Sequence, residues 1–171
     1  HEPEINEKNF LGSGGKVIRA WVGTVQEIWS GKFQKVVPRK FKDEIGKCNE
    51  TFAGYNQQDA QEYLAFICDV LHEDVNRIVD KPATGSIEPN GRPDQEIADE
   101  TFATFKKRND SILTDLTMGL TRSALCCTAE GCGYKQPTFD VYSILSVPLP
   151  LKATLDIFLT VSLAGKPPIQ C

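Results

Sequence analysis

One stretch constrains this chain more than any other: residues 57–78, entered through the polar run Gly54-Tyr55-Asn56-Gln57-Gln58-Asp59-Ala60-Gln61-Glu62. From Gln57 to about Ile78, the apolar residues Ala60, Tyr63, Leu64, Ile67, Val70, Leu71 and Val75 recur at offsets of three and four. That period predicts one amphipathic helix with a single buried stripe. Asn56 has the side chain of an N-cap, and Asp59 brings a carboxylate to the positive end of the helix. Asp59 and Glu62 lie three residues apart, which puts both acids on one face of the opening turn.

Shorter elements surround it. Lys16–Trp29 reads as a helix with Val17, Ile18, Trp21, Val22, Val25, Ile28 and Trp29 in its apolar stripe, between Ser13-Gly14-Gly15 and Ser30-Gly31. Pro38-Arg39-Lys40-Phe41-Lys42 opens a second helix, with Pro in its first turn and Gly46 as its stop. Residues 81–94, with Pro82, Gly85, Pro89, Gly91 and Pro93, read as a loop. A further helix is expected from Gln95 to Lys107, ended by Arg108-Asn109-Asp110.

Beyond Asp110 the texture changes. Ile112, Leu113, Leu116, Met118, Leu120, Leu125, Phe139, Val141, Tyr142, Ile144, Val147 and Leu149 fall in short runs spaced by Thr and Ser, a strand-like pattern. Cys127 to Gly133 forms a polar knuckle between two strands, Pro148-Leu149-Pro150 closes a strand, and Leu155 to Val161 begins another. Helices followed by strands predict an α+β fold, with a helical lobe over 1–110 and an antiparallel β lobe over 111–171.

Charge and cysteine usage narrow the function. Nineteen basic against 23 acidic side chains leave a net charge of −4. That balance disfavours a nucleic-acid partner and suits one with a basic contact surface. No Lys/Arg cluster flanks the knuckle. No run of about 18 apolar residues is present, so no membrane partner is expected. The start at His1 carries neither signal nor transit peptide features, and the missing initiator Met suggests a piece of a longer chain. Six cysteines, at 48, 68, 126, 127, 132 and 171, are too unevenly spread for a disulfide scaffold and point to a reducing compartment.

The polar turn admits two readings. It is a capped helix start with the acids that the dipole prefers. The other reading is a rim of amides and carboxylates that could grip an extended peptide or an arginine, whose planar fork suits paired carboxylates. Cys68 and His72 stand four apart on one helical face and mimic a catalytic dyad. A thiol in mid-helix lacks the N-terminal dipole that would activate it. Cys68 is therefore expected in the core and His72 near the surface.

The run Gly54–Glu62, continued by Leu64-Ala65-Phe66 and Leu71-His72-Glu73-Asp74-Val75-Asn76, resembles the Gln-Gln-Asp box of ubiquitin-specific proteases. Trp29-Ser30-Gly31, Pro38-Arg39, Phe41, Gly46, Phe52, Asn90-Gly91-Arg92-Pro93-Asp94, Arg108-Asn109-Asp110-Ser111 and Val147-Pro148-Leu149-Pro150-Leu151 extend the resemblance over roughly residues 12–160. They are similar to the subgroup with large insertions in the catalytic domain. The resemblance implies part of a papain-like hand of thumb, palm and fingers in a cysteine deubiquitinase of the cytoplasm or nucleus. Its partners would be ubiquitin and ubiquitinated proteins. Residues matching Asp59 and Glu62, with amides matching Gln57 and Gln61, would hold the ubiquitin tail, which carries two arginines before its terminal glycines.

The family's catalytic triad is Cys–His–Asp/Asn. Neither its Gly-Asn-Thr-Cys-like string nor its Gly-His-Tyr-like string occurs here, so no catalytic residue is assigned and the chain alone is expected to be inactive. The alternative is a non-catalytic ubiquitin-binding module. Cys127 and Cys132 stand where many members carry one half of a four-cysteine zinc site, although their C-x4-C spacing departs from the usual C-x2-C. A structural zinc would need two ligands from elsewhere, so it is expected in a full protein rather than in this chain.

Overall fold

The structure is a computed structural model and describes residues 5–146. The expected strand closure at Pro148-Leu149-Pro150, the expected strand from Leu155, the Val147–Leu151 resemblance and Cys171 lie outside those residues. Five α-helices are described: α1 Lys16–Trp29, α2 Arg39–Cys48, α3 Ala60–Asp74, α4 Asp94–Lys106 and α5 Ile112–Thr117. A 3-10 turn at Glu50–Phe52 joins α2 to α3, and strands β1 Gly119–Cys126 and β2 Lys135–Tyr142 follow. The fold class is α+β. Two compact units divide the chain: one holds the residues up to Gly85 with Ala103–Met118, the other Ser86–Phe102 with the residues from Gly119.

In the first unit, Val17 and Ile18 of α1, Phe41 and Ile45 of α2, Phe52, and Ile67, Val70, Leu71 and Val75 around α3 form one apolar core. Rings cross the helix contacts. Trp21 lies 5.2 Å from Phe41, and Phe52 meets Tyr63 edge-on at 5.0 Å and Phe66 at 5.3 Å. Gly46 does not stop α2, which runs on to Cys48. Its role is close approach, since a Cβ there would sit 2.9 Å from the Ala53 Cα. Pro38 caps α2 from outside the first turn.

The long helix is shorter than its apolar period suggests. It begins at Ala60 and ends at Asp74, and the cap is Asp59 rather than Asn56. Asp59 has the extended backbone of a cap, and its carboxylate takes two N–H groups. At the other end, Asn76 turns the chain. Its Oδ1 accepts from the N–H groups of Ile78 and Asp110, and its Nδ2 donates to the Arg108 carbonyl at 3.0 Å. The stripe is also truncated: Ala60 and Leu64 are exposed, and burial starts at Ile67. In α1 the buried face holds Val17, Ile18, Ala20 and Thr24, while Ile28 and Trp29 face solvent.

Residues 112–117, expected as strand, form α5 instead. Ser111 caps it by accepting the Thr114 N–H at 3.1 Å, a local hydrogen bond that strand propensity does not register. α4 starts one residue before the expected Gln95 and buries Ile97; its residues Asp94–Phe102 belong to the second unit and Ala103–Lys106 to the first. β1 and β2 pair antiparallel from Gly119↔Tyr142 to Cys126↔Lys135, with the knuckle between them as expected. Gly119 has no room for a side chain, because a Cβ would lie 2.9 Å from the Tyr142 ring.

Candidate functional site

The opening turn of α3 is built from below. Phe52, Tyr63 and Phe66 pack beneath it, and partial burial pushes the Tyr63 hydroxyl pKa up. Gln58 donates from Nε2 to the Thr51 carbonyl at 3.0 Å, which ties the approach to the 3-10 turn. Lys42 donates to the Ala53 carbonyl and sits 4.2 Å over the ring of Tyr55, which is otherwise open to solvent. The sequence pattern singled out neither Gln58 nor Lys42, because their partners are backbone carbonyls and a ring seven or more residues away.

On this base stand the four residues expected to bind. Gln57, Asp59, Gln61 and Glu62 are all exposed. Asp59 Oδ1 accepts the backbone N–H groups of Gln61 at 2.7 Å and Glu62 at 3.0 Å. Capping therefore uses one oxygen of Asp59 and leaves the other open. Among the described residues, the side chains of Gln57, Gln61 and Glu62 make no hydrogen bond or ion pair. A half-used carboxylate at the cap, a free carboxylate and the Gln61 amide stand on the solvent-facing first turn of α3, and the Gln57 amide lies two residues before the cap. Such a set accepts cationic donors and pairs with peptide N–H and C=O groups.

The Cys68–His72 pair is not a dyad. His72 is buried, contrary to the surface position expected, because α5 covers it. Its Nδ1 lies 2.7 Å from Ser111 Oγ and 3.3 Å from Thr114 Oγ1, and its Nε2 faces Asn76 Nδ2 at 3.5 Å. Both ring nitrogens are therefore engaged away from Cys68, which is half-buried. Cys48 is no better a nucleophile: desolvation, then the Asp74 and Glu44 charges, push its thiol pKa up.

A family profile described as "Ubiquitin carboxyl-terminal hydrolase" matches residues 1–164. The chain belongs to the ubiquitin carboxyl-terminal hydrolase family. It is 42% identical over 161 residues to ubiquitin carboxyl-terminal hydrolase 15 of Homo sapiens, covering 93% of this chain and 16% of that protein. Against ubiquitin carboxyl-terminal hydrolase 4 of Rattus norvegicus it is 41% identical over 172 aligned positions, 99% of this chain and 18% of that protein. The Xenopus tropicalis hydrolase 15 is 41% identical over 161 residues, again 93% of this chain and 16% of that protein. This hydrolase-family chain thus spans less than a fifth of the length of these curated relatives.

In this family member, the knuckle holds the two expected thiols at the tip of the hairpin. The Cys127 N–H donates to the Tyr134 carbonyl at 2.9 Å, and the Cys132 N–H to the Ala129 carbonyl at 3.1 Å. The Ala129 backbone, then the Cys132 side chain, hydrogen-bond to the Cys127 thiol and hold its pKa below the usual range. Two thiols supply half of a tetrahedral zinc set. Among the described residues, no group of three or more His, Cys, Asp or Glu is placed to hold a metal. No helix among them is long and apolar enough to cross a membrane.

Proposed function

We propose that this chain is the ubiquitin-tail-binding part of a cysteine-type deubiquitinase catalytic domain. The observation that carries the reading is the open polar set on the first turn of α3, in a chain of this family. Asp59 and Glu62 would take the arginines of a ubiquitin tail, and Gln57 and Gln61 would pair with its backbone. The relatives' names, ubiquitin carboxyl-terminal hydrolases 15 and 4, support that substrate class.

In the whole protein a cysteine thiolate would attack the isopeptide carbonyl, and a histidine would move the proton. This chain's residues would hold the tail extended, so that the scissile carbonyl stays within reach. The chain alone would bind without cleaving. If the whole protein binds a structural zinc, Cys127 and Cys132 would supply two of four ligands. The free thiols at Cys48, Cys68, Cys126, Cys127 and Cys132 suit a reducing compartment, the cytoplasm or nucleus.

The test is binding of this chain to immobilised ubiquitin, alongside turnover of a fluorogenic ubiquitin substrate. Glu62→Gln should weaken binding by about 1.5–3 kcal/mol, the range for a charge-assisted hydrogen bond. No turnover is expected. Binding unchanged by Glu62→Gln, or turnover abolished by Cys68→Ala, would contradict the reading.

A further inference from the structure

A second surface lies between α1 and α2, away in sequence from the α3 turn. Residues 28–42 carry Lys32, Lys35, Arg39, Lys40 and Lys42, five of the chain's 19 basic side chains, and no Asp or Glu. Without those five cations the net charge of −4 would be −9, so this segment runs against the field of the rest of the molecule. Lys42 is used locally by Ala53 and Tyr55. The charged groups of Lys32, Lys35, Arg39 and Lys40 are exposed and have no hydrogen-bond or ion-pair partner among the described residues.

Large apolar side chains stand among those cations. Trp29 is 84% exposed, Phe33 58%, Ile28 57% and Val37 53%. Single exposed apolar residues are ordinary. Four within ten consecutive residues, interleaved with unpaired cations, are the composition of an interface. The backbone adds capacity. Residues 31–38 form no helix or strand, and the N–H groups of residues 33–37 donate no hydrogen bond among the described residues.

We propose that residues 28–40 are a docking surface for a short acidic peptide segment of a partner protein, with apolar side chains set between its carboxylates. Carboxylates answer Lys32, Lys35, Arg39 and Lys40, apolar side chains cover Trp29 and Phe33, and the free N–H groups donate to the carbonyls of an extended backbone. The acidic remainder selects for a short ligand. A duplex, a long single strand or an anionic membrane extends beyond the patch and meets that negative field, whereas a short peptide samples the local cations within a Debye length of about 8 Å. This surface uses none of the residues of the α3 turn and stands whether or not that turn holds ubiquitin.

The test is fluorescence anisotropy with the full chain and a labelled peptide alternating Glu and Leu. Saturable, salt-sensitive binding is expected. Trp29→Ser and the double variant Lys32→Glu/Lys35→Glu should each weaken it about tenfold or more. These side chains lie on the surface, and circular dichroism verifies that each variant keeps its helices. A Lys/Leu peptide, oligouridylate and phosphatidylserine vesicles should bind more weakly than the Glu/Leu peptide. The proposal is overturned if the Glu/Leu peptide does not bind, if both folded variants bind it like the unaltered chain, or if oligouridylate or the vesicles bind more tightly.

Discussion

Asp74 and Ser13 are joined twice: Asp74 Oδ1 accepts the Ser13 N–H and Asp74 Oδ2 accepts the Ser13 hydroxyl, each at 2.6 Å. The same carboxylate takes the N–H groups of Gly15 at 3.3 Å and Ile18 at 3.1 Å. The last residue of α3 therefore serves as the cap of α1, where the helix dipole favours a negative charge. One end of α3 is taken up by anchoring, while Gln61 and Glu62 at the other end stay exposed to solvent.

Asp74 is fully buried, so Asp74→Ala leaves the buried N–H groups of Gly15 and Ile18 without their acceptor. The expected loss is at least about 2 kcal/mol, combining a lost cap with unsatisfied N–H groups. Gly12→Ala should act on the same junction, because its Cβ would meet Asp74 Oδ1 at 2.8 Å. Urea titrations check both, and a Gly12→Ala protein as stable as the original would contradict the packing.

Glu73 gives a pH signature. Burial raises its carboxyl pKa, but hydrogen bonds from Lys81 and Asn9, with the Lys81 charge, outweigh burial and hold it below the usual value. A lowered folded pKa contributes stability that is complete above the unfolded value of about 4.3 and is lost as pH falls through the folded value. Lys81→Met removes the partner 2.6 Å away and should cost about 1–3 kcal/mol at neutral pH. The stability gap between that variant and the original should be largest at neutral pH and should shrink as pH falls below about 4.3. A gap that stays constant into acid would contradict the pairing.

His72 and Ser111 should be coupled. Ser111→Ala leaves the buried imidazole facing an apolar side chain and removes the cap of α5. A loss of about 1–3 kcal/mol is expected. A double-mutant cycle with His72→Phe should give a coupling energy of about 0.5–3 kcal/mol. Additive losses would mean that the contact carries no energy.

The thiols should differ in reactivity. Cys127 is held toward thiolate by the Ala129 backbone and Cys132, whereas desolvation and nearby carboxylates keep Cys48 protonated. Iodoacetamide near neutral pH should label Cys127 before Cys48, as read by peptide mass spectrometry. Raising the pH should narrow the gap. Equal rates at neutral pH would contradict the two environments.

The apolar period of α1 and α3 was legible in sequence, as was the knuckle flanked by strands, because neighbouring residues set each of them. The ends of α3 were not. Asn56 and Asp59 both have capping side chains, and only backbone geometry chose Asp59. Asn76 ends the helix through contacts with residues more than thirty positions away. A clue stood in the sequence nonetheless: Glu73 and Asp74 are acids at a helix C-terminus, where the dipole disfavours them, so something else had to hold them. His72 was misplaced for the same reason, since the helix that buries it lies about forty residues on. The candidate residues Gln57, Asp59, Gln61 and Glu62 come from the resemblance to a family; period alone gives only a capped, acidic first turn.

The central claim is that the first turn of α3 receives a cationic peptide tail. The most direct test is a nuclear magnetic resonance titration of isotope-labelled chain with a peptide ending in the ubiquitin tail, two arginines before terminal glycines. The account predicts shifts centred on residues 57–62 that collapse when the peptide's arginines are replaced by glutamine, and that shrink in the Glu62→Gln chain. Shifts centred elsewhere, or shifts indifferent to the loss of both arginines, would contradict it.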